Sequence, residues 1–263
     1  MKERFCFDVD AALLNGDPDR FLRAVRGAGF SMVFLSGTEV PGFPENMVIL
    51  RFAELAAKYG LKAVNYHIDF RNSNLLWLDR PERAELIEQY MRLICCCADA
   101  GMTSVTVHPT CGTNNLYVSQ LGLDAFTRFA EAGERYGITV CAENLRTFVQ
   151  LDYLFMGIGS ERLGFCHDSG HEFAYMKGMD FARRYASRLC FTHLHDNDGT
   201  GDLHLLPLDG ELDFAHLKAL YDSVGYTGPL SLEVSLNLGT AYRMDPETFA
   251  LEAYRRMVGV FGE

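Results

Sequence analysis

Residues 62–109 read KAVNYHIDFRNSNLLWLDRPERAELIEQYMRLICCCADAGMTSVTVHP, and their pattern indicates the fold class. It begins and ends with a short apolar run, KAVNYHI (62–68) and SVTVHP (104–109), typical of strands that are buried on both faces. Between them, residues 80–101 have the amphipathic pattern of a helix that ends at Gly101. A strand, a helix and a second strand in this order predict parallel pairing with a right-handed crossover.

The same unit repeats along the whole chain. The other strand-like runs are RFCFDV (4–9), MVFLS (32–36), TVCAEN (139–144), LGFCHD (163–168), LCFTHLH (189–195) and LSLEVS (230–235). The other helix-like segments are residues 17–30, 45–60, 123–137, 212–225 and 245–261, with a weaker one in 145–162. Eight units in 263 residues predict an α/β fold, a single-domain (β/α)8 TIM barrel over residues 1–263. A doubly wound open sheet is the alternative, but no GxGxxG turn follows the first strand.

Composition narrows the class of protein. The apolar fraction of 48% is ordinary for a chain with a sizeable core, and no apolar run is long enough for a signal peptide or a membrane span. We therefore expect a cytoplasmic protein without a membrane partner. A net charge of -11 argues against nucleic acid as a partner, since phosphate binding relies on Lys and Arg. The eight cysteines form no CxxC pair, which predicts reduced, buried thiols.

Polar side chains gather at the carboxyl ends of the predicted strands, where barrels of this class carry their active sites. These residues are His67, His108, Glu143, His167, Asp168, His171, His193, His195 and Glu233. Asp8 and Asn144 are further candidates for the lining of the pocket. A single histidine at a strand end is more often a core residue than a ligand. Buried carboxylates, however, are rare unless they are paired or bind a metal.

Three carboxylates and one histidine lie on four successive strands. They are Glu143, Asp168, Glu233 and either His193 or His195. Closure of the barrel would bring them together, and without a cation the carboxylates would repel one another and be largely protonated. The sequence therefore predicts a divalent metal site.

The chain resembles the xylose isomerase-like TIM barrels, which include sugar phosphate isomerases and epimerases, ketose 3-epimerases and endonuclease IV. The segments VHP (107–109), AEN (142–144), HDSGH (167–171), HLHDNDG (193–199) and LEV (232–234) carry the resemblance. It implies a Glu, Asp, His, Glu metal site made by Glu143, Asp168, His195 and Glu233, with His195 favoured over His193. It also implies that His171 contacts substrate or a second metal.

The resemblance implies a metal-dependent isomerase or epimerase of a small-molecule sugar or sugar phosphate. One divalent metal (Mn, Mg, Co or Zn) would stabilise an enediolate, while the catalytic residues Glu143 and Glu233 exchange protons on opposite faces of the substrate. The ketose 3-epimerases have an Arg shortly after the strand-seven His, and residues 196–201 contain none. Arg146 is a candidate replacement.

A zinc-dependent AP endonuclease similar to endonuclease IV is the main alternative. Its longer ligand list, for several zinc ions, would be met by His67, His108, Glu143, Asp168, His171, His193 or His195, Asp202, His204 and Glu233. Against it stand the acidic charge and the absence of basic residues from SGTEVPGFPEN (36–46). A lyase or dehydratase on the same scaffold and a non-catalytic barrel stay open, as does assembly into a homo-oligomer.

Trp77, in the segment after strand three, is either a lid over a sugar or part of the core.

Overall fold

The computed structural model describes residues 2–10, 16–37, 40, 42–112, 116–234, 236 and 242–262. Three residues of the second loop (Thr38, Glu39 and Pro41) and Ser235 at the end of the eighth predicted strand lie outside the described residues.

Eight parallel strands form one sheet. They are Phe5–Asp10 (β1), Met32–Ser36 (β2), Lys62–His67 (β3), Ser104–Val107 (β4), Thr139–Glu143 (β5), Leu163–Asp168 (β6), Leu189–His193 (β7) and Leu230–Leu232 (β8). Their order in the sheet is β7-β6-β5-β4-β3-β2-β1-β8, so strands β1 to β7 lie side by side in sequence order and β8 pairs with β1. The two outer strands meet where Leu194 bridges Leu232 in parallel, and the Leu194 amide donates to the Ser231 carbonyl at 2.8 Å. The predicted single-domain (β/α)8 barrel is confirmed.

Helices separate the strands. Their bounds are Pro18–Ala28 (α1), Glu45–Lys58 (α2), Glu82–Asp99 (α3), Gln120–Tyr136 (α4), Val149–Gly157 (α5), Ser169–Tyr175 (α6), Phe181–Arg184 (α7), Phe214–Ser223 (α8) and Pro246–Phe261 (α9). The first helix begins and ends as its sequence predicts: the Asp17 side chain accepts from the Arg20 amide, and Gly29 ends it with φ 123°. In the described part of the chain, no helix is both long and apolar enough to cross a membrane.

Two layers of core support the strand ends. Inside the barrel, alternate strand residues form a plug made of Cys6, Phe34, Val64, Cys141, Cys166 and Phe191. Outside it, the larger core fills the space between sheet and helices. All eight cysteines are free, in agreement with the prediction of reduced thiols, although Cys95, Cys96, Cys111 and Cys190 are only partly buried.

Trp77 belongs to the outer core and is not a lid. It is 1% exposed, and its indole N–H donates to the Pro109 carbonyl at 2.7 Å. A Cβ on Gly122 of α4 would collide with its ring, which shows how closely the helix packs on it.

Candidate functional site

Every second side chain of a strand points into the barrel, and the polar ones lie nearer the carboxyl ends of the strands than the apolar plug. Glu143 is two residues after Cys141 on β5, Asp168 is two after Cys166 on β6, and His193 is two after Phe191 on β7. Glu233 lies just beyond the end of β8. Each of these polar residues is at most 7% exposed. The carboxyl ends of four strands therefore deliver their polar side chains to one buried place.

Four donor groups converge there. Glu143, Asp168, His193 and Glu233 each offer a ligand atom, and these atoms all lie within 4.8 Å of one another. His193 Nδ1 is 3.1 Å from Glu143 Oε2, 3.6 Å from Glu233 Oε1 and 4.0 Å from Asp168 Oδ2. The ring of Phe34 stacks on the His193 ring at 5.2 Å and fixes its plane.

His195, which the family resemblance favours, occupies a different position from His193. Its Nε2 lies 3.1 Å from Asp168 Oδ1, and its ring stacks on the His204 ring at 4.1 Å. It belongs to a separate group with His204 and Glu233, whose ligand atoms also lie within 4.8 Å of one another. Both histidines face the barrel interior, as residues two apart on a strand should. The group of four donors contains His193, which lies deeper in the barrel than His195.

Further histidines surround the Glu143 carboxylate. Its Oε2 is 3.3 Å from His67 Nε2 and 3.4 Å from His108 Nε2, and these three residues form another potential ligand group. Its Oε1 is 3.1 Å from His171 Nδ1. Glu143 therefore lies at the centre of the cluster.

Asp202 and His204 complete the cluster from the loop after β7. Asp202 Oδ2 lies 3.0 Å from His171 Nε2, and its Oδ1 lies 3.6 Å from His204 Nε2. His204 Nδ1 contacts the Glu233 carbonyl at 2.9 Å. Arg146 lies outside this cluster and His167 points away from it, whereas the other catalytic or ligand candidates predicted from the strand ends and the loop all belong to it.

Several buried polar atoms in the cluster have no hydrogen-bond partner among the described residues. They are both oxygens of Glu143, both ring nitrogens of His193, Nδ1 of His195 and Oδ1 of Asp202. Buried polar groups normally find partners, and so many exceptions in one place need an explanation. Carboxylate oxygens and imidazole nitrogens are the donors that divalent cations take, so the residues present fit such an ion.

The three carboxyl groups of the cluster have pKa values shifted in different directions. Burial raises the pKa of Glu233 well above its ordinary value, with further contributions from the charges of Glu143 and Asp168. Burial acts in the same direction on Glu143, but the surrounding histidines outweigh it and hold its pKa well below the ordinary value. For Asp168, burial is likewise outweighed by His171 and His195, which lower its pKa to about 2.

Local contacts of the HDSGH segment fix the positions of Asp168, His171 and His195. The Asp168 carboxylate accepts from the His171 amide at 2.6 Å and so begins α6. A Cβ at Gly170 would collide with the His195 ring. Asn144 joins β5 to β6, since its amide donates to the Asp168 carbonyl and accepts from the Asp168 amide, both at 2.8 Å.

One residue of this segment points away from the site. His167 Nδ1 bonds the Tyr221 hydroxyl and its Nε2 bonds Glu172, each at 2.8 Å, on the helix side of β6. The alternation of side chains along β6 predicts this, because His167 precedes the inward-facing Asp168. Its place at a strand end is therefore no sign of a role in the site.

The loop that carries Asp202 and His204 is organised by a buried carboxylate. Asp196 accepts from the amides of Asn197, Leu208, Gly210 and Leu212 at 2.8–3.0 Å. In the sequence it looks like a potential ligand, but its oxygens are used to fold the loop.

A cavity of about 320 Å³ opens beside the cluster. Its lining includes Phe70, His108, Arg146, His171, Tyr175 and Asp202. The Phe70 ring stacks on the His108 ring at 4.3 Å and is 39% exposed. Phe70 offers an apolar wall that the sequence did not reveal, because it lies beyond the end of β3 in an irregular segment.

Asp8, at the mouth of β1, is buried, with one oxygen bonded to the Ser36 hydroxyl at 2.8 Å.

The fold and the cluster together define a class: (β/α)8 barrels with buried histidines and carboxylates at the carboxyl ends of their strands. The model of the xylose isomerase-like TIM barrel family matches residues 22–253, and the chain belongs to that family.

Several known proteins are similar to this chain. An uncharacterized protein of Sinorhizobium fredii is 35% identical over 101 residues, 38% of this chain. That match spans about a third, 32%, of the relative's length. D-psicose 3-epimerase from Clostridium cellulolyticum H10, solved with D-tagatose, superposes with a TM-score of 0.77 at 13% identity over 97% of each chain. The IolI protein, solved with a zinc atom, gives 0.75 at 16% identity over 98% of this chain and 97% of that one. At these identities the structural likeness shows the fold.

Proposed function

We propose that the protein is a metal-dependent isomerase or epimerase of a small sugar or sugar phosphate. One observation carries the proposal: Glu143 and Glu233 converge with Asp168 and His193 on one buried point, next to a cavity of about 320 Å³. A cavity of this size suits a small molecule. The similar fold of D-psicose 3-epimerase supports the same class of substrate.

In this proposal Glu143, Asp168, His193 and Glu233 hold one divalent cation (Mn, Mg, Co or Zn). When bound, the cation supplies the Lewis acidity that makes a carbon-bound hydrogen next to a carbonyl easier to remove. His193 takes the place for which the family resemblance favours His195, because its Nδ1 is the imidazole atom that faces the other three donors.

The two glutamates move the proton. Glu143 reaches the cluster from β5 and Glu233 from the end of β8, so they approach a substrate from different sides of the barrel mouth. One carboxylate takes a proton from one face of a carbon atom and the other returns a proton to the opposite face, which inverts that carbon. Transfer to the neighbouring carbon would instead exchange an aldose for a ketose. General acid–base catalysis of this kind contributes about 10²–10⁴-fold.

Solvent-exchange measurements test the proposal. The protein is incubated in D2O with each metal in turn and with a panel of ketoses and ketose phosphates. We expect deuterium at a carbon next to the carbonyl in at least one of them. Absence of exchange across the panel would contradict the proposal and favour a lyase, a dehydratase or a binding protein.

A zinc-dependent phosphodiesterase, similar to endonuclease IV, is the second candidate. The observation that favours it is the set of further histidines around Glu143 (His67, His108 and His171), together with Asp202 and His204, which offers ligands for more than one zinc ion. The net charge of -11 argues against it. Incision of a duplex that contains an abasic site, by zinc-loaded protein, would establish it in place of the first candidate.

A further inference from the structure

Arg146 is held at the wall of the active-site cavity by an aromatic ring. Its guanidinium carbon lies 3.8 Å from the centroid of the Tyr175 ring, and its Nη2 donates to the Tyr175 hydroxyl at 2.8 Å. The Tyr175 ring lies 5.9 Å from the His171 ring, and His171 Nδ1 is 3.1 Å from Glu143. Two aromatic rings therefore separate the guanidinium from the centre of the cluster.

Arg146 forms no ion pair with a carboxylate within the described part of the chain. Many other arginines have a carboxylate partner. These ion pairs are Arg20–Glu247, Arg71–Asp69, Arg128–Glu88, Arg183–Asp180, Arg184–Asp152 and Arg256–Asp209. Arg146 has no such pair among the described residues, although the protein carries a net charge of -11. Among the described residues that line the cavity, it is also the one Lys or Arg.

An arginine with these properties is suited to bind an anion. Its planar fork of N–H donors matches the oxygens of a carboxylate or phosphate, and stacking on Tyr175 orients it in advance. The same cavity also offers an apolar contact, because the exposed ring of Phe70 can pack against the apolar face of a sugar. A neutral sugar would make use of Phe70 and leave the guanidinium with only hydroxyl partners.

We infer that Arg146 anchors an anionic group of the substrate, so that the enzyme acts on an acidic sugar, either a sugar phosphate or a sugar acid. This inference rests on the proposed function for the identity of the site, and it adds the substrate class and the residue that selects it. The anionic group binds at Arg146 while the carbons that react lie toward Glu143 and Glu233.

Binding measurements with matched sugars test the inference separately from turnover. Dissociation constants are determined by calorimetry for D-fructose, D-fructose 6-phosphate, 5-keto-D-gluconate and inorganic phosphate, with metal-loaded and with chelator-treated protein. We expect both anionic sugars to bind at least about tenfold more tightly than D-fructose, the gain of one charge-assisted pair. The sugar phosphate and the sugar acid are separate arms, and the tighter one identifies the anion.

Variants assign the preference to the residue. Arg146→Gln keeps the length of the side chain without its charge, and should reduce the ratio of the neutral to the anionic dissociation constant to about one. Arg146→Lys should retain part of the ratio. Arg51→Gln is the matched control, because Arg51 is also exposed and lies 5.8 Å from the centroid of an aromatic ring, that of Phe43, but lines no part of this cavity. It should leave the ratio unchanged.

Three results would overturn the inference: equal affinity for neutral and anionic sugars, no binding of any anionic probe even at millimolar concentration, or a preference that survives in Arg146→Gln. Failure of the proposed function looks different. It would appear as a lack of deuterium exchange with every sugar, whatever the dissociation constants show.

Discussion

At the scale of single residues, the site depends on carboxylates that a protein core would normally exclude. Glu143 is 1% exposed, and its two oxygens face histidines from four other segments of the chain. The sequence predicted this clustering, because a Glu inside a buried strand needs a partner of opposite charge. It could not say whether His193 or His195 lies nearer to that Glu. Both face inward, and only the depth of each residue in the barrel separates them.

Replacement of either proposed catalytic glutamate by glutamine should abolish turnover without unfolding the protein. The amide keeps the shape of the side chain but cannot accept a proton, so we expect Glu143→Gln and Glu233→Gln to lose about 10²–10⁴-fold in kcat at saturating metal. Steady-state kinetics and circular dichroism measure the two properties. Glu131→Gln, on the exposed surface of α4, is the control. Near-native turnover in either variant would contradict the two-glutamate mechanism.

Asp8 should make the stability of chelator-treated protein depend on pH. Burial raises its pKa from 3.8 to about 7, despite the hydrogen bond from Ser36. A carboxyl whose pKa is raised on folding favours the folded state at low pH, and that contribution is lost as the pH rises from about 4 to about 7. Asp8→Asn removes the charge, so its free energy of unfolding at pH 8 should exceed that of the wild type by up to about 4 kcal/mol, with little difference at pH 4.

Urea unfolding across this pH range measures the difference between the two proteins. The exposed Asp124→Asn on α4 serves as the control and should follow the wild-type curve. Parallel curves for Asp8→Asn and the wild type would mean that Asp8 is ionised in the folded protein at no cost.

At the scale of elements, local signals predicted some boundaries well and others poorly. β2 and β6 have the predicted bounds, because apolar runs there end where ladder hydrogen bonds end. β4, β5 and β7 stop one or two residues early. Some of their last predicted residues leave the ladder for other contacts: Asn144 bonds the backbone of Asp168, and His195 contacts the Asp168 carboxylate. The short helices α6 and α7 were not identified from the sequence. α6 depends on the Asp168 cap and on the space that Gly170 leaves. Neither feature gives the helical spacing of apolar residues from which a helix is predicted.

Gly170 and Gly27 should respond oppositely to the same substitution. A Cβ at Gly170 collides with the His195 ring, so Gly170→Ala should destabilise the protein by about 1–3 kcal/mol and displace His195 from Asp168. A Cβ at Gly27, in α1, meets nothing within 4 Å. Gly27→Ala should therefore stabilise the protein by about 0.5–1 kcal/mol, because alanine loses less backbone entropy in a helix. Chemical denaturation compares them, and equal effects would contradict the packing described for HDSGH.

At the scale of the whole molecule, the closed barrel explains why residues far apart in the sequence can form one site. Glu143 ends β5 and Glu233 lies just beyond β8, two strands that are not neighbours. The two residues meet because β8 pairs with β1 and Leu232 bridges Leu194 beside β7. The alternation of strands and helices predicted this closure. The cavity beside the cluster was not predictable in the same way, since Phe70, Arg146 and Tyr175 come from loops and helix ends with no shared period.

We propose that the three carboxylates and His193 hold a divalent cation. The most direct test is the metal content of protein purified without chelator, by mass spectrometry, for the wild type and for Glu143→Gln. We predict one Mn, Mg, Co or Zn ion per wild-type chain and its loss from Glu143→Gln. Two or three zinc ions per chain would favour the phosphodiesterase instead. Folded wild-type protein that holds no divalent cation, even after incubation with each metal, would rule out this metal site.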